Sequence, residues 1–316
     1  MNKLIVVNSP HTHSRESVAR IMWTVVACLI PAGAAGVFIF GLSALWVIIL
    51  AVLSAVLCEW LIITLAKGKN TIWDGSALLT GLLLAYNLPP GVPFWIPIAG
   101  SIFSIAIAKF TFGGLGQNIF NPALAGRVFL MASWPKYLTT FTKPFNYDAV
   151  TSATPLALLK EGKLIEHIPV LNLFLGNRGG SIGETCAAAL LIGALFLLLR
   201  GYIAWQIPVS FIATTGLFTW IFGGKAFLTG NWIFHVLSGG LILGAFFMAT
   251  DYVSSPLTRK GHLIFGIGCG ILTSVIRLWG GYPEGVSYAI LIMNAAVPLI
   301  DRYSKNRIYG TQIKLN

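Results

Sequence analysis

Between residues 21 and 300 the chain is written as apolar blocks joined by short polar stretches, at 21–40, 43–66, 75–88, 93–109, 122–134, 183–199, 203–222, 232–250, 262–278 and 285–300. A helix of about 20 apolar residues covers a bilayer core of about 30 Å. In lipid a helix satisfies its own backbone polar groups, which an isolated strand cannot do. The pattern therefore predicts an all-α polytopic membrane protein of about ten transmembrane helices. Only 10% of the 316 residues are charged, far below the roughly 25% of a soluble domain. The third and fifth blocks are short for a bilayer, and the fifth carries Arg127. Both are expected to be broken or tilted helices supported by neighbouring helices rather than by lipid.

The net charge of +11 would suggest nucleic acid in a soluble protein. In a membrane protein, basic residues collect in the cytoplasmic loops, so no nucleic-acid partner is expected and the surrounding medium is lipid. With the N-terminus inside, ten spans leave 14 Lys and Arg on the cytoplasmic side and seven outside, five of those seven in the loop 135–182. This predicts a multi-pass protein of the bacterial inner membrane. Its segments are a cytoplasmic stretch 1–20, a five-span unit 21–134, an extracytoplasmic loop 135–182, a second five-span unit 183–300 and a cytoplasmic tail 301–316. Residues 1–20 are too polar for the apolar core of a cleavable signal, so the first span is expected to act as the insertion signal. The four cysteines, Cys28, Cys58, Cys186 and Cys269, stand singly in apolar surroundings. Iron–sulfur and zinc sites need clustered thiolates, and no metal site is expected.

The two five-span units echo each other. Span four ends Lys109-Phe110-Thr111-Phe112-Gly113-Gly114 and span nine ends Arg277-Leu278-Trp279-Gly280-Gly281, while Ser76 to Gly81 in block three resembles Ser238 to Gly244 in block eight. An offset of five spans, an odd number, makes the halves inverted repeats. Such folds place their sites at broken helices near the repeat interface.

Few polar residues interrupt the apolar blocks. Glu59 lies deep in the second, where a carboxylate is costly and is usually functional or paired. It is a candidate for an ion path, with Lys67 two turns away as its plain structural partner. Asp74-Gly75-Ser76 and Asn121-Pro122 read as helix starts, and Asp251 as a loop residue closing the eighth span. Gly113 to Gln117 forms a glycine-rich turn without the Lys-Ser/Thr ending of a nucleotide-binding loop. On the outer side, Ser181 and Glu184 open the sixth span in the same compartment as the loop 135–182.

That loop contains Asp148-Ala149-Val150-Thr151-Ser152-Ala153-Thr154-Pro155. Small residues and hydroxyls cluster there, and Pro155 holds Thr154 extended. On chemistry alone Thr151, Ser152 and Thr154 are rival hydroxyls. The stretch resembles the D-x-x-[ST]-[GA]-A-T signature of proteins that carry FMN on threonine through a phosphoester. Together with Ser9-Pro10-His11, Asp74 to Ala77, Gly113 to Arg127, Gly180 to Thr185 and Phe247 to Asp251, the whole chain resembles the NqrB/RnfD family. Ser152 stands where glycine is commoner in the signature, and Tyr252 where proline is frequent.

The resemblance implies membership of an ion-translocating electron-transfer complex that couples ferredoxin oxidation and NAD⁺ reduction to Na⁺ or H⁺ movement. It implies covalent FMN on Thr154, with Asp148, Thr151, Ser152 and Ala153 as the attachment motif and Ser181 and Glu184 in its surroundings. It implies a second, noncovalent riboflavin as well. The implied partners are a cluster-bearing ferredoxin-side subunit, an NADH-side subunit, a second FMN-carrying extracytoplasmic subunit and a flavin transferase. The transferase needs access to the acceptor, so Thr154 is expected in an exposed, flexible loop. Two other functions compete: an NqrB-like subunit of a quinone reductase, and a solute channel of the urea-transporter kind.

Overall fold

The computed structural model describes residues 16–67, 71–145, 151–161, 169–224 and 226–305, with backbone only at 151 and 152. Asp148 therefore lies outside the described residues. The first unit contains α1 (Val18–Phe40), α2 (Leu42–Leu65), a 3₁₀ turn (Ile72–Asp74), α3 (Ser76–Tyr86), α4 (Trp95–Ile102) with its π-helical continuation Phe103–Phe110, and α5 (Pro122–Ser133). The connecting region holds α6 (Pro135–Thr139), β1 (Phe141–Thr142), β2 (Thr151–Ser152), α7 (Pro155–Lys160) and α8 (Val170–Leu175). The second unit contains α9 (Ala187–Leu199), α10 (Gln206–Phe222), α11 (Trp232–Leu237), α12 (Leu241–Leu243) with a π-helical continuation Gly244–Met248, α13 (Arg259–Trp279) and α14 (Val286–Tyr303).

Among the described residues, α1, α2 and α13 are long and apolar enough to cross a membrane by length and composition alone. The third and fifth blocks become the short helices α3 and α5, as their length and Arg127 require. The eighth block breaks at Ser238-Gly239-Gly240 between α11 and α12. Gly239 has φ +67°, and a Cβ there would lie 2.9 Å from Leu156 Cδ1 and 3.2 Å from both Arg277 Nη2 and Glu284 Oε1. Only glycine takes that backbone at so crowded a point.

Helix starts follow the sequence chemistry. Asn121 Oδ1 accepts from the amides of Ala123 and Leu124 with Pro122 in the first turn, and Asp74 Oδ1 accepts from Ser76 N at 2.8 Å. Packing follows the repeat. In one unit α2 lies against α3 and α4, and in the other α10 lies against α11 and α13, while the related pairs α1/α9 and α5/α14 meet between units. Gly266 and Gly270 bring α13 onto the α10 backbone: Cβ atoms there would stand 2.8 Å from Ile207 O and 3.0 Å from Phe211 O. Small residues at a four-residue spacing allow this approach without a hydrophobic driving force between helices in lipid.

One contact repeats in both units. Lys109 Nζ donates to Ser76 Oγ at 2.6 Å, and Arg277 Nη2 donates to the Ser238 carbonyl at 3.0 Å. In each unit a cation on the fourth helix reaches the serine where the third is interrupted. The match of 109 with 277 and of 76 with 238, read from sequence, is therefore also a match of structural role.

Candidate functional site

The segment around Thr154 is docked, which corrects the expectation of an exposed loop. The hairpin pairs Phe141 with Ser152 and Thr142 with Thr151, leading the chain into α7. Thr154 sits just before that helix with φ −68° and ψ 155°, and its Oγ1 accepts from Ala157 N at 3.2 Å. The residue before a proline favours this extended backbone. Leu156 packs with Leu173 of α8 and Phe234 of α11, while Lys160 Nζ donates to the carbonyls of Gly280 and, at 2.6 Å, Tyr282. These contacts leave Thr154 only 4% exposed, with Ala153 on the surface. Thr151 and Ser152 contribute backbone to the hairpin.

Beneath Thr154 lies a buried charge cluster. The loop before α9 is pinned to the end of α3, because Ile182 N and Gly183 N donate to the carbonyls of Leu88 and Tyr86. That loop carries Arg178, Ser181 and Glu184, all buried. Arg127 of α5 donates through Nη1 to Asn87 Oδ1 at 2.6 Å and Glu184 Oε1 at 3.3 Å, and through Nη2 to Glu284 Oε2 at 2.5 Å. Arg277 donates through Nη1 to the His235 carbonyl and through Nη2 to that of Ser238. Arg178 uses Nη2 on the Glu184 carbonyl at 3.0 Å. Three guanidinium groups thus face two carboxylates, which leaves positive charge in excess. Burial pushes the Arg178 guanidinium below its usual value. Burial, the largest single influence, would raise the Glu284 carboxyl, but the Arg127 charge, hydrogen bonds with Glu184 and Arg127, and the Arg277 charge together hold the group below the ordinary carboxylate value. Arg178 Nη1, Arg277 Nε, Ser181 Oγ and Ser238 Oγ are buried without hydrogen-bond partners, and so is one acceptor, Glu184 Oε2.

Two recesses open on either side of Thr154. The larger, about 200 Å³, is lined by Arg127, Phe141, Thr154, Tyr282, Glu284 and Tyr288 among others. Tyr282 and Tyr288 stack there with centroids 5.3 Å apart and 20° between planes. The smaller is a niche of about 10 Å³ with Thr154, Arg178, Glu184 and Glu284 in its wall beside Leu156 and Gly239. Thr154, Glu184 and Glu284 therefore meet at one place. Sequence reasoning named the first two but missed Glu284 and Arg178, and read Arg127 only as a sign of helix distortion. The available signal was unpaired charge: Arg127 in an apolar block needs buried partners, and acids beside glycine-rich turns were the candidates.

Glu59 lies in a second cluster, in the first unit. Its Oε2 is 2.6 Å from Lys109 Nζ, with the two side chains 1% and 2% exposed, and Thr71 Oγ1 donates to Oε1 at 3.0 Å. The partner is thus Lys109 rather than Lys67, because the π-helical continuation of α4 carries Lys109 inward against α2. A cavity of about 90 Å³ adjoins this pair, with Lys109, Asn121, Tyr202, Phe246, Phe247 and Asp251 in its wall. Asp251 is half-buried and accepts from Ser254 Oγ at 2.9 Å, so it is no ordinary loop residue. Both π-helical stretches border the cavity, through Lys109 and through Phe246 and Phe247, and π-helical turns are frequent at functional sites.

Residues 5–310 match the model of the NQR2, RnfD, RnfE family. The chain is 50% identical to the D component of the proton-translocating ferredoxin:NAD(+) oxidoreductase complex of Clostridium ljungdahlii, over 98% of this chain and 97% of that protein. It is 51% identical to the D component of the Na(+)-translocating ferredoxin:NAD(+) oxidoreductase complex of Acetobacterium woodii, with the same coverage. The D component of the ion-translocating oxidoreductase complex of Stutzerimonas stutzeri is 41% identical, over 94% of this chain and 93% of that protein.

Proposed function

This chain belongs to the NQR2, RnfD, RnfE family, and on that premise we propose that it is the RnfD component of an Rnf-type ferredoxin:NAD⁺ oxidoreductase and carries FMN as a phosphoester on Thr154. The observation that carries the flavin reading is the buried Thr154 hydroxyl, set between an aromatic-lined recess and a cluster with surplus positive charge. A flavin phosphoester needs both: an apolar slot for a flat ring and cationic donors for one negative charge. Half-identity over nearly the full length to relatives named for ferredoxin and NAD(+) favours this reading over an NqrB-like quinone reductase, and family membership removes the ground for a urea-transporter-like channel.

Attachment would join Thr154 Oγ to the FMN phosphorus of FAD, break the pyrophosphate bond, release AMP and pass the hydroxyl proton to the leaving phosphate or solvent. A flavin transferase of the extracytoplasmic side would supply this reaction. Bound there, FMN supplies a carrier for one or two electrons. The chain's own part is to hold it in place: α7 buries the attachment point, Arg127 orders Glu184 and Glu284, and Lys160 ties α7 to the loop bearing Tyr282. The 90 Å³ cavity, with Phe246, Phe247 and Tyr202 beside polar Lys109 and Asn121, suits a second, noncovalent riboflavin. We place the protein in the bacterial inner membrane with both termini cytoplasmic, the two units inverted and Thr154 outside. Its partners would be the cluster-bearing ferredoxin-side, NADH-side and second FMN-carrying subunits.

The coupling ion is left open by similarity, since relatives at 50% and 51% identity are named for protons and for Na(+). Glu59 is the proposed ion-path carboxylate, and a cation would reach it only by displacing Lys109. Transport by the complex carrying Glu59→Gln tests this, and undiminished coupled transport would remove Glu59 from the path. For the flavin, the purified chain is denatured and run on a gel. Fluorescence should migrate with the wild-type band and vanish in Thr154→Ala, and a band equally fluorescent in that variant would refute the assignment.

A further inference from the structure

We propose that Arg178 is the anchor for the phosphate joined to Thr154, and that the Tyr282–Tyr288 pair is the seat of the flavin ring. This orientation rests on the Thr154 reading and deepens it. Thr154 borders both recesses, so the phosphate stands at their junction and the ring must enter one of them. The niche of about 10 Å³ has room for about one water-sized group, hence one phosphoryl oxygen but no ring. The recess of about 200 Å³ has the volume, and its stacked tyrosines offer the flat π surface that a tricyclic ring prefers.

The choice of Arg178 follows from the hydrogen bonds of the three guanidinium groups. Arg127 is committed through both terminal nitrogens, to Asn87, Glu184 and Glu284. Both terminal nitrogens of Arg277 donate to backbone carbonyls, and Arg277 lines neither recess. Arg178 lines the niche with Thr154, is 7% exposed, and has Nη1 buried without a partner. A buried guanidinium donor is costly to leave unmade, and a phosphoryl oxygen in the niche would satisfy it. Glu184 and Glu284 beside it would repel that oxygen. Arg127 holds Glu284 and one oxygen of Glu184, which leaves Arg178 Nη1 to the anion.

The test uses the full chain, flavinylated in cells and purified in detergent. Photoexcited flavin is quenched by electron transfer from a stacked tyrosine but not from phenylalanine. The double variant Tyr282→Phe with Tyr288→Phe, which keeps the ring packing, should raise folded-state flavin emission severalfold while leaving the denaturing-gel band unchanged. Arg178→Lys keeps a cation in the loop but loses the forked donor. It should move the phosphorus NMR resonance of the folded protein toward its denatured position. A flavin-positive gel with emission unchanged in the tyrosine variant would overturn the ring seat, and an unmoved resonance in Arg178→Lys would overturn the anchor. A wild-type gel without flavin would instead overturn the Thr154 reading and this orientation with it.

Discussion

The two units present one mount in two electrostatic states. In the first, Lys109 reaches Ser76 at a helix interruption and meets a single carboxylate, Glu59, so cation and anion close on each other. In the second, Arg277 reaches Ser238 at the corresponding interruption, but the acids it faces, Glu184 and Glu284, are held by Arg127. Arg178 joins them, and buried donors are left over. A buried charge is tolerable only when paired and hydrogen-bonded. The first cluster meets that condition by itself, whereas the second leaves Arg178 Nη1 buried without a partner. The difference therefore separates a closed ion pair from a cluster with a donor to spare, which is the one proposed above to take the phosphate.

The largest effect should come from breaking the second cluster at its centre. Arg127→Met removes the one guanidinium that pairs directly with both buried carboxylates. Removing one partner of a buried pair costs about 3–5 kcal/mol, and this variant should lie near the top of that range in thermal unfolding in detergent. Lys109→Met strands only Glu59 and should cost about 3 kcal/mol on the same scale. Adding Glu59→Gln to Lys109→Met should restore most of that loss, since no charge is then left unpaired. Adding Glu284→Gln to Arg127→Met should restore far less, because Glu184 remains. If the two double variants recover equally, the contrast between the clusters fails.

How much of this was legible follows from the kind of signal each feature leaves. Helix number, the short third and fifth spans and the Asn121-Pro122 start are local patterns of apolarity and capping, and they read directly from the residues. The repeat was visible at Lys109 and Arg277 because a cation at the end of an apolar helix is rare. Thr154 stood out through the motif, yet its burial did not, because docking of α7 depends on Leu156 meeting Leu173 and Phe234 across a long sequence distance. The partnership of Arg127 with Glu284 spans 157 residues, and Lys109 rather than Lys67 pairs with Glu59 through a π-helical turn. Such pairings are made by tertiary geometry and leave no periodic trace.

A smaller effect separates the clusters by pH. Against burial, Glu284 has its folded-state carboxyl held below the ordinary value by Arg127 together with the Glu184 hydrogen bond and the Arg277 charge. An unfolded glutamate titrates near about 4.3, so around that pH the native state binds fewer protons than the unfolded chain, and stability rises with pH. The contribution of Glu284 is therefore complete above about 4.3 and is lost as pH falls through its lower folded value. The stability gap between wild type and Glu284→Gln should narrow on acidification across that window. A gap that stays constant from neutral pH to well below it would show that Arg127 and its neighbours do not hold Glu284 in its charged form.

The smallest effect concerns the strap that closes the second cluster. Lys160 is exposed yet ties α7 to the carbonyls of Gly280 and Tyr282. Hydrogen bonds made by one charged, solvent-reached group contribute about 1 kcal/mol. Lys160→Met should therefore leave global unfolding almost unchanged, because α7 also docks through Leu156. The amides of α7 exchange by local opening, and a loss of about 1 kcal/mol there means roughly fivefold faster exchange. Hydrogen exchange read by mass spectrometry should show this acceleration in peptides covering 155–160. Peptides around Glu59 and Lys109 should stay at wild-type rates, since that cluster closes without a strap. If both regions accelerate together, α7 is part of one cooperative unit with the first cluster. If neither does, Leu156 alone holds Thr154 in place.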